Sequence, residues 1–113
     1  AVVRPHTPVR EALQAMTRAR SGAAVVVDEE GRLAGGFTHG DFVRAFQSDS
    51  DIGDHPVKTF MTAKPVTILA EKLAAEVIAT LEKHRVDDLV VLDVDQRPVG
   101  LVDTQDLSRM KLV

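Results

Sequence analysis

Displaced by 65 residues, this chain falls on itself without a gap from Glu11 to Arg44. Glu11 lands on Glu76, Arg20 on Arg85, Val25 and Val26 on Val90 and Val91, and Asp28 on Asp93. Arg32 lands on Arg97, Gly35 on Gly100, Asp41 on Asp106 and Arg44 on Arg109. A period of this length makes each copy one supersecondary unit. A copy of about 50 residues is too short to bury its own apolar face well, so two copies sharing one core are expected.

The two copies read alike. In the first, Thr7 is the expected N-cap and Pro8 the first helical position, with Val9, Ala12, Leu13 and Met16 at helical spacing and Gly22 as the stop. Ala23–Val27 reads as a buried strand, Asp28–Gly31 as a turn, and Arg32–Phe37 as a second strand. Thr38 then caps a short helix carrying Phe42, Val43 and Phe46. In the second copy, Val66–Ile68 and Leu89–Leu92 read as strands, with a helix from Glu71 to His84 between them that turns Leu73, Val77, Ile78 and Leu81 inward. Asp93–Arg97 is a turn, Pro98–Val102 a strand, and a last helix starts at Asp103. The expected class is α+β, with β-α-β-β-α occurring twice and the copies related by a pseudo-twofold axis. Residues 1–46 form the first copy and 63–113 the second. Residues 47–62, rich in Ser, Asp, Gly and Pro, read as a polar linker.

Composition excludes several function classes. With 14 basic and 17 acidic side chains, the net charge of −3 has the wrong sign for a dedicated nucleic-acid binder. No apolar run approaches the roughly 20 residues that span a bilayer, so no membrane partner is expected. The start lacks the order of a secretory signal. The absence of cysteine removes disulfides, thiolate zinc sites and thiol catalysis, and is compatible with a cytoplasmic protein. The chain begins without Met, as a segment of a longer protein or a trimmed chain would.

No catalytic constellation stands out. His6, His39, His55 and His84 form no metal-binding pair, and there is no nucleophile turn and no phosphate loop with Gly-Lys. Asp49 to His55 suggests a calcium loop, but the sixth and twelfth positions from Asp49 hold Asp54 and Phe60 rather than Gly and Glu. Catalysis and a metal site are therefore not expected in this segment.

Each copy ends in Gly-apolar-x-Thr/Ser-x-x-Asp or its near equivalent: Gly35-Gly36-Phe37-Thr38-His39-Gly40-Asp41, and Gly100-Leu101-Val102-Asp103-Thr104-Gln105-Asp106. Together with the lead-in Met61-Thr62-Ala63-Lys64-Pro65-Val66-Thr67, these phrases resemble a cystathionine-β-synthase (CBS) domain pair, or Bateman module. The phrase Gly36–Arg44 resembles in particular the pairs that follow the sugar-isomerase domain of arabinose-5-phosphate isomerases, with His39 in place of the usual Asp. The resemblance implies a regulatory module that binds an adenosine-type ligand between the repeats. AMP, ADP, ATP and a nucleotide sugar are the candidate effectors. It also implies a homodimer formed through the module's helices and an attached isomerase domain.

On this resemblance Asp41 and Asp106 are the candidate ribose ligands and Thr38 lies on the phosphate side. A carboxylate accepts two hydrogen bonds from a vicinal diol, and a Thr at a helix N-terminus sits where backbone N–H groups favour an anion. His39 lies inside the same phrase. The same Thr-x-x-Asp spacing also makes an ordinary helix start. In the second copy Asp103 stands in the Thr/Ser slot, where a carboxylate repels phosphate, and Asp87 and Asp88 precede the strand where the first copy has Gly22 and Ala23. The first 46 residues carry six basic and five acidic side chains; the remainder carries eight and twelve. The first cleft is thus the better nucleotide site. Arg4, Arg44, Arg85 and Arg109 are the cations available for a phosphate. The alternative is a structural dimerisation module whose clefts are vestigial.

Overall fold

Five consecutive small and β-branched residues, Ala23–Val27, form a strand, β2, buried along its whole length. β-branched side chains suit such a pleated surface. The structure is a computed structural model that describes residues 1–72, 88–103 and 110–112. These fall into two compact units, Ala1–Lys64 and Pro65–Val113.

In the first unit the strand β1 (Val2–Val3) runs parallel to β2, and β3 (Leu33–Thr38) runs antiparallel on its other side. A parallel pair needs a crossover, which is supplied by helix α1 (Val9–Ala19). Val9, Ala12 and Met16 lie on one face of α1 and are buried. With Val3, Ala24, Val26 and Phe37 they form the core, against which Leu13 packs. Glu11 in the first turn and Arg18 in the last complement the helix dipole. Helix α2 (His39–Ser48) follows β3 directly.

The ends of α1 differ from the sequence expectation. Thr7 does not cap it. Its hydroxyl accepts from the N–H of Arg4 at 3.0 Å, and Pro8 occupies the N-cap without a side-chain bond. Carbonyls from further along the chain replace the cap: Val9 N–H donates to His55 and Arg10 N–H to Gly53, each at 2.9 Å. The stop is Arg20 rather than Gly22. Arg20 has φ 52°, and its N–H reaches the carbonyls of Met16 and Thr17.

Residues 47–62 are likewise more than their polar composition suggests. Ile52 and Val57 are fully buried in the core of the first unit. Val57 N–H donates to Thr7 at 2.8 Å and Lys58 N–H to Pro5 at 3.0 Å, so this stretch is bonded into the first copy along its length. A short 3₁₀ turn, Val57–Thr59, carries the chain toward Thr62.

The second unit repeats the strand order. β4 (Thr67–Leu69) is parallel to β5 (Asp88–Leu92), which is antiparallel to β6 (Pro98–Asp103). Ile68, Leu89, Val91 and Val102 form its core cluster. A 3₁₀ turn, Ala70–Lys72, follows β4. The rest of the expected helix to His84 lies outside the described residues, as do residues 104–109 of the expected last helix. Met110–Leu112 form β7, which pairs antiparallel with β6 and was not expected.

The repeat extends to backbone register. Val2 pairs with Val25 and Thr67 with Val90; Ala23 pairs with Thr38 and Asp88 with Asp103; Val27 pairs with Leu33 and Leu92 with Pro98. Each of these second-copy pairs is its first-copy counterpart displaced by the same 65 residues. The register shift recurs too, between Val26 and Val27 and between Val91 and Leu92. The hairpin turns match bond for bond. Asp28 Oδ1 accepts from the amides of Glu30 and Arg32, and Asp93 Oδ1 from those of Asp95 and Arg97.

One position in that turn is left-handed in both copies. Gly31 has φ 81° and its counterpart Gln96 has φ 64°. A side chain in this region costs about 1 kcal/mol that glycine does not incur. Gln96→Gly is expected to raise stability by up to about 1 kcal/mol, and Gly31→Ala to lower it by a similar amount. Chemical denaturation of the two variants checks both signs.

Candidate functional site

The β3–α2 corner carries three of the four described candidates, Thr38, His39 and Asp41. β3 ends at Thr38, which is extended (φ −105°, ψ 165°) and forms the N-cap of α2. Its Oγ1 accepts from Asp41 N–H at 3.0 Å, and Asp41 Oδ2 accepts from Thr38 N–H at 2.9 Å. This is a capping box with Asp in the position usually held by Glu or Gln. The N–H of His39 donates to Gly22 at 2.9 Å, continuing the β2–β3 ladder into the helix start. The His39 ring is exposed and lies 6.3 Å from that of Phe42.

Asp41 is 6% exposed, the one charged residue among the described residues that is buried. A buried carboxylate is tolerated only when its oxygens are hydrogen-bonded. Three groups bond it. Besides Thr38 N–H, the Arg44 guanidinium pairs with Oδ1 from the next turn of α2. The Thr62 hydroxyl lies 3.3 Å from Oδ1 and 3.4 Å from Oδ2. Among the described residues no buried side-chain N or O lacks a hydrogen-bond partner.

Thr62 reaches this corner because its backbone is stitched to β3. Thr62 N–H donates to Gly36 at 2.8 Å and Gly36 N–H to Thr62 at 2.9 Å. The approach depends on the absence of a side chain at Gly35, where a Cβ would lie 2.7 Å from Met61 Sδ and 2.8 Å from the Thr62 carbonyl. The glycines of the motif phrase thus serve a close backbone crossing. In the second unit β7 pairs with Gly100, Leu101 and Val102, so the outer edge of β6 is covered too.

Sequence reasoning named Thr38, His39 and Asp41 and left out Thr62. Its signal is Met61-Thr62-x-x-Pro65, whose place ahead of the second repeat suggests only a lead-in. Arg44 was one of four cations whose direction the sequence left open, and the structure turns it onto Asp41. Arg4 is placed elsewhere. It follows β1, and its guanidinium donates to the Asp28 carbonyl at 2.6 Å, beside a cavity of about 300 Å³ lined by Arg4, Pro5, His6, Asp28 and Glu29. Strand register puts that cavity at the end of β2 remote from Thr38. Asp103 ends β6 directly opposite Asp88, two acidic residues where the first copy pairs Thr38 with Ala23. Asp106, Asp87, Arg85 and Arg109 lie outside the described residues. Among the described residues no group of three metal-ligating side chains occurs, and no helix is long and apolar enough to cross a membrane.

A three-stranded motif that occurs twice with the same strand order and register defines a paired small-domain module. The CBS domain family model matches residues 1–48 and 57–112, and the chain belongs to that family. It is 43% identical over 103 residues to the arabinose 5-phosphate isomerase KdsD of Pseudomonas aeruginosa, covering 91% of this chain and 32% of that protein. It is 31% identical over 111 residues to the enzyme of the same name from Yersinia pestis, covering 98% of this chain and 34% of that protein. The chain thus spans about a third of the length of these relatives. Among solved structures it resembles a CBS domain pair in complex with 5-methylthioadenosine and S-adenosyl-L-methionine, with TM-score 0.82, 23% identity and coverage of 96% and 87% of the two chains. It also resembles a CBS domain protein from Pyrobaculum aerophilum complexed with AMP, with TM-score 0.78, 23% identity and coverage of 95% and 82%. The architecture is a tandem CBS pair.

Two substitutions test the local account. Thr38→Ala removes the acceptor for Asp41 N–H and is expected to cost about 1 kcal/mol, read from the shift in denaturation midpoint. Gly35→Ala forces Met61 and Thr62 away from β3 and is expected to cost about 1–3 kcal/mol. Because the clash falls on Thr62 backbone as well as on a flexible Met, Met61→Ala in the same chain should recover only part of that loss.

Proposed function

We propose that this chain is the ligand-sensing CBS pair of a sugar-phosphate isomerase resembling arabinose 5-phosphate isomerase, and that it binds an adenosine nucleotide or a related metabolite. The observation that carries the reading is the β3–α2 corner. A buried carboxylate, Asp41, sits beside Thr38 at a helix N-terminus, in the phrase that by its resemblance to CBS pairs is expected to take a ribose and its phosphate. The similarity to domains crystallised with AMP and with S-adenosyl-L-methionine supports it. Thr38 and Asp41 are the proposed contacts of the first cleft, with His39 beside them. Asp103 and Asp106 are the proposed contacts of a second site that is either empty or takes a ligand of little negative charge, since Asp88 pairs with Asp103 across β5 and β6. The isomerase chemistry would lie in the remainder of a longer protein, in the cytoplasm. The module acts by linkage: a ligand that prefers one arrangement shifts the attached enzyme's equilibrium by no more than its differential affinity.

A second reading is favoured by a specific observation. Asp41 is already bonded to Thr38, Arg44 and Thr62 within the chain, and Val43 and Phe46 of α2 are 40% and 48% exposed. A homodimerisation module with unused clefts would look the same.

A thermal-shift panel of AMP, ADP, ATP, S-adenosylmethionine and cytidine nucleotide sugars separates the two. Saturation near a hundred times Kd adds roughly 2.7 kcal/mol, and each kcal/mol moves the midpoint of a domain this size by roughly 4–8 °C. The sensing reading expects such a rise with one ligand, lost in Asp41→Asn, which retains an acceptor for Thr38 N–H. A flat panel together with a dimer by light scattering would establish the assembly reading instead.

A further inference from the structure

A carboxylate has about four lone-pair positions, and in Asp41 three partners already draw on them. Thr38 N–H is locked into the capping box. The other two are of a different kind. Arg44 is 71% exposed and holds Oδ1 from outside. Thr62 shares its hydroxyl between both oxygens at 3.3 and 3.4 Å, beyond the usual range for a strong O–H···O bond. A vicinal diol brings two donors and needs two acceptor positions. It cannot be accommodated while Arg44 and Thr62 both remain.

We infer that Thr62 and Arg44 form an autoinhibitory latch on Asp41, which a ligand diol displaces, freeing the segment that leads into the second repeat. The inference rests on the sensing reading above and adds its means of transmission. Thr62 is tied to β3 at Gly36 by two backbone bonds and to Asp41 by its side chain. Lys64 and Pro65 follow two and three residues later, where the first unit ends and the second begins. Taking the Thr62 hydroxyl off Asp41 removes its side-chain anchor and leaves only the pair of backbone bonds to Gly36. Occupancy of the corner is thereby converted into freedom of the connection. Arg44, once displaced, is a cation released at the mouth of the same site.

Thr62→Val tests the latch, because it keeps the shape and removes the competing hydroxyl. The hydroxyl's net contribution, at the low end for a hydrogen bond because of its length, corresponds to roughly twofold to threefold in affinity. With AMP as the probe in titration calorimetry, Thr62→Val is expected to bind more tightly by that factor, and Arg44→Gln to bind adenosine more tightly. Hydrogen exchange gives a readout that does not depend on affinity. In the unliganded chain the amides of Thr62 and Gly36 should exchange faster in Thr62→Val than in the parent. In the parent they should speed up when AMP saturates it. Unchanged exchange in unliganded Thr62→Val overturns the latch whatever binds. AMP binding with equal or weaker affinity in Thr62→Val overturns the displacement but leaves sensing intact. If none of the nucleotides binds, the sensing reading and the displacement both fall.

Discussion

A carboxylate withdrawn from water must be satisfied by the chain around it, and the first repeat is arranged to satisfy Asp41. The requirement fixes Thr38 as N-cap, since Asp41 bonds the Thr38 amide while Thr38 bonds that of Asp41. Thr62 joins it because two backbone bonds to Gly36 hold it against β3, an approach that calls for the bare Gly35 between the two backbones. It draws Arg44 back along α2 over Gly40, where a Cβ would stand 3.4 Å from the guanidinium. Local helix start, tertiary crossing and candidate site are one network. Such networks are more than the sum of their pairs when every member is bonded.

Much of this was legible because side chains report it. The buried run of β2, the hairpin turn at Asp28, the Thr38 cap and the 65-residue repeat are patterns of residue type, and the structure carries each of them into register. What was not legible rests on backbone. The N–H groups of Val9 and Arg10 bond carbonyls of residues more than 40 positions away, and carbonyls have no sequence signature. Ile52 and Val57 were overlooked because two apolar residues among Ser, Asp and Gly look like a solvated stretch, although both are fully buried. Arg20 stops α1 in a conformation usually reserved for glycine, which hid the end of the helix behind Gly22. β7 pairs with β6 where a helical continuation was expected, because its three residues carry no alternation long enough to read.

The copies share a backbone and differ in chemistry. At the left-handed turn position one has Gly31 and the other Gln96. At the strand ends one pairs Ala23 with Thr38 and the other Asp88 with Asp103. Identical register with divergent side chains is the expected outcome when a duplicated fold keeps its strand pairing under the constraint of the pleat, where a slip of one residue would invert every side chain. The positions at the strand ends carry no such constraint, so the two halves could part in charge without parting in fold.

That freedom bears on what a sensor needs. A site whose carboxylate is buried and unpaired would be costly to maintain without ligand. A site whose carboxylate is permanently satisfied would never respond. Asp41 stands between these limits: one partner is built into the helix cap, while one is an exposed arginine and one a long contact from a neighbouring segment. All three contacts are made within the chain. A ligand gains only the difference between its own bonds to Asp41 and those it replaces, which sets the size of any response. On the sensing reading, modest affinity is expected from the same geometry that would provide the coupling.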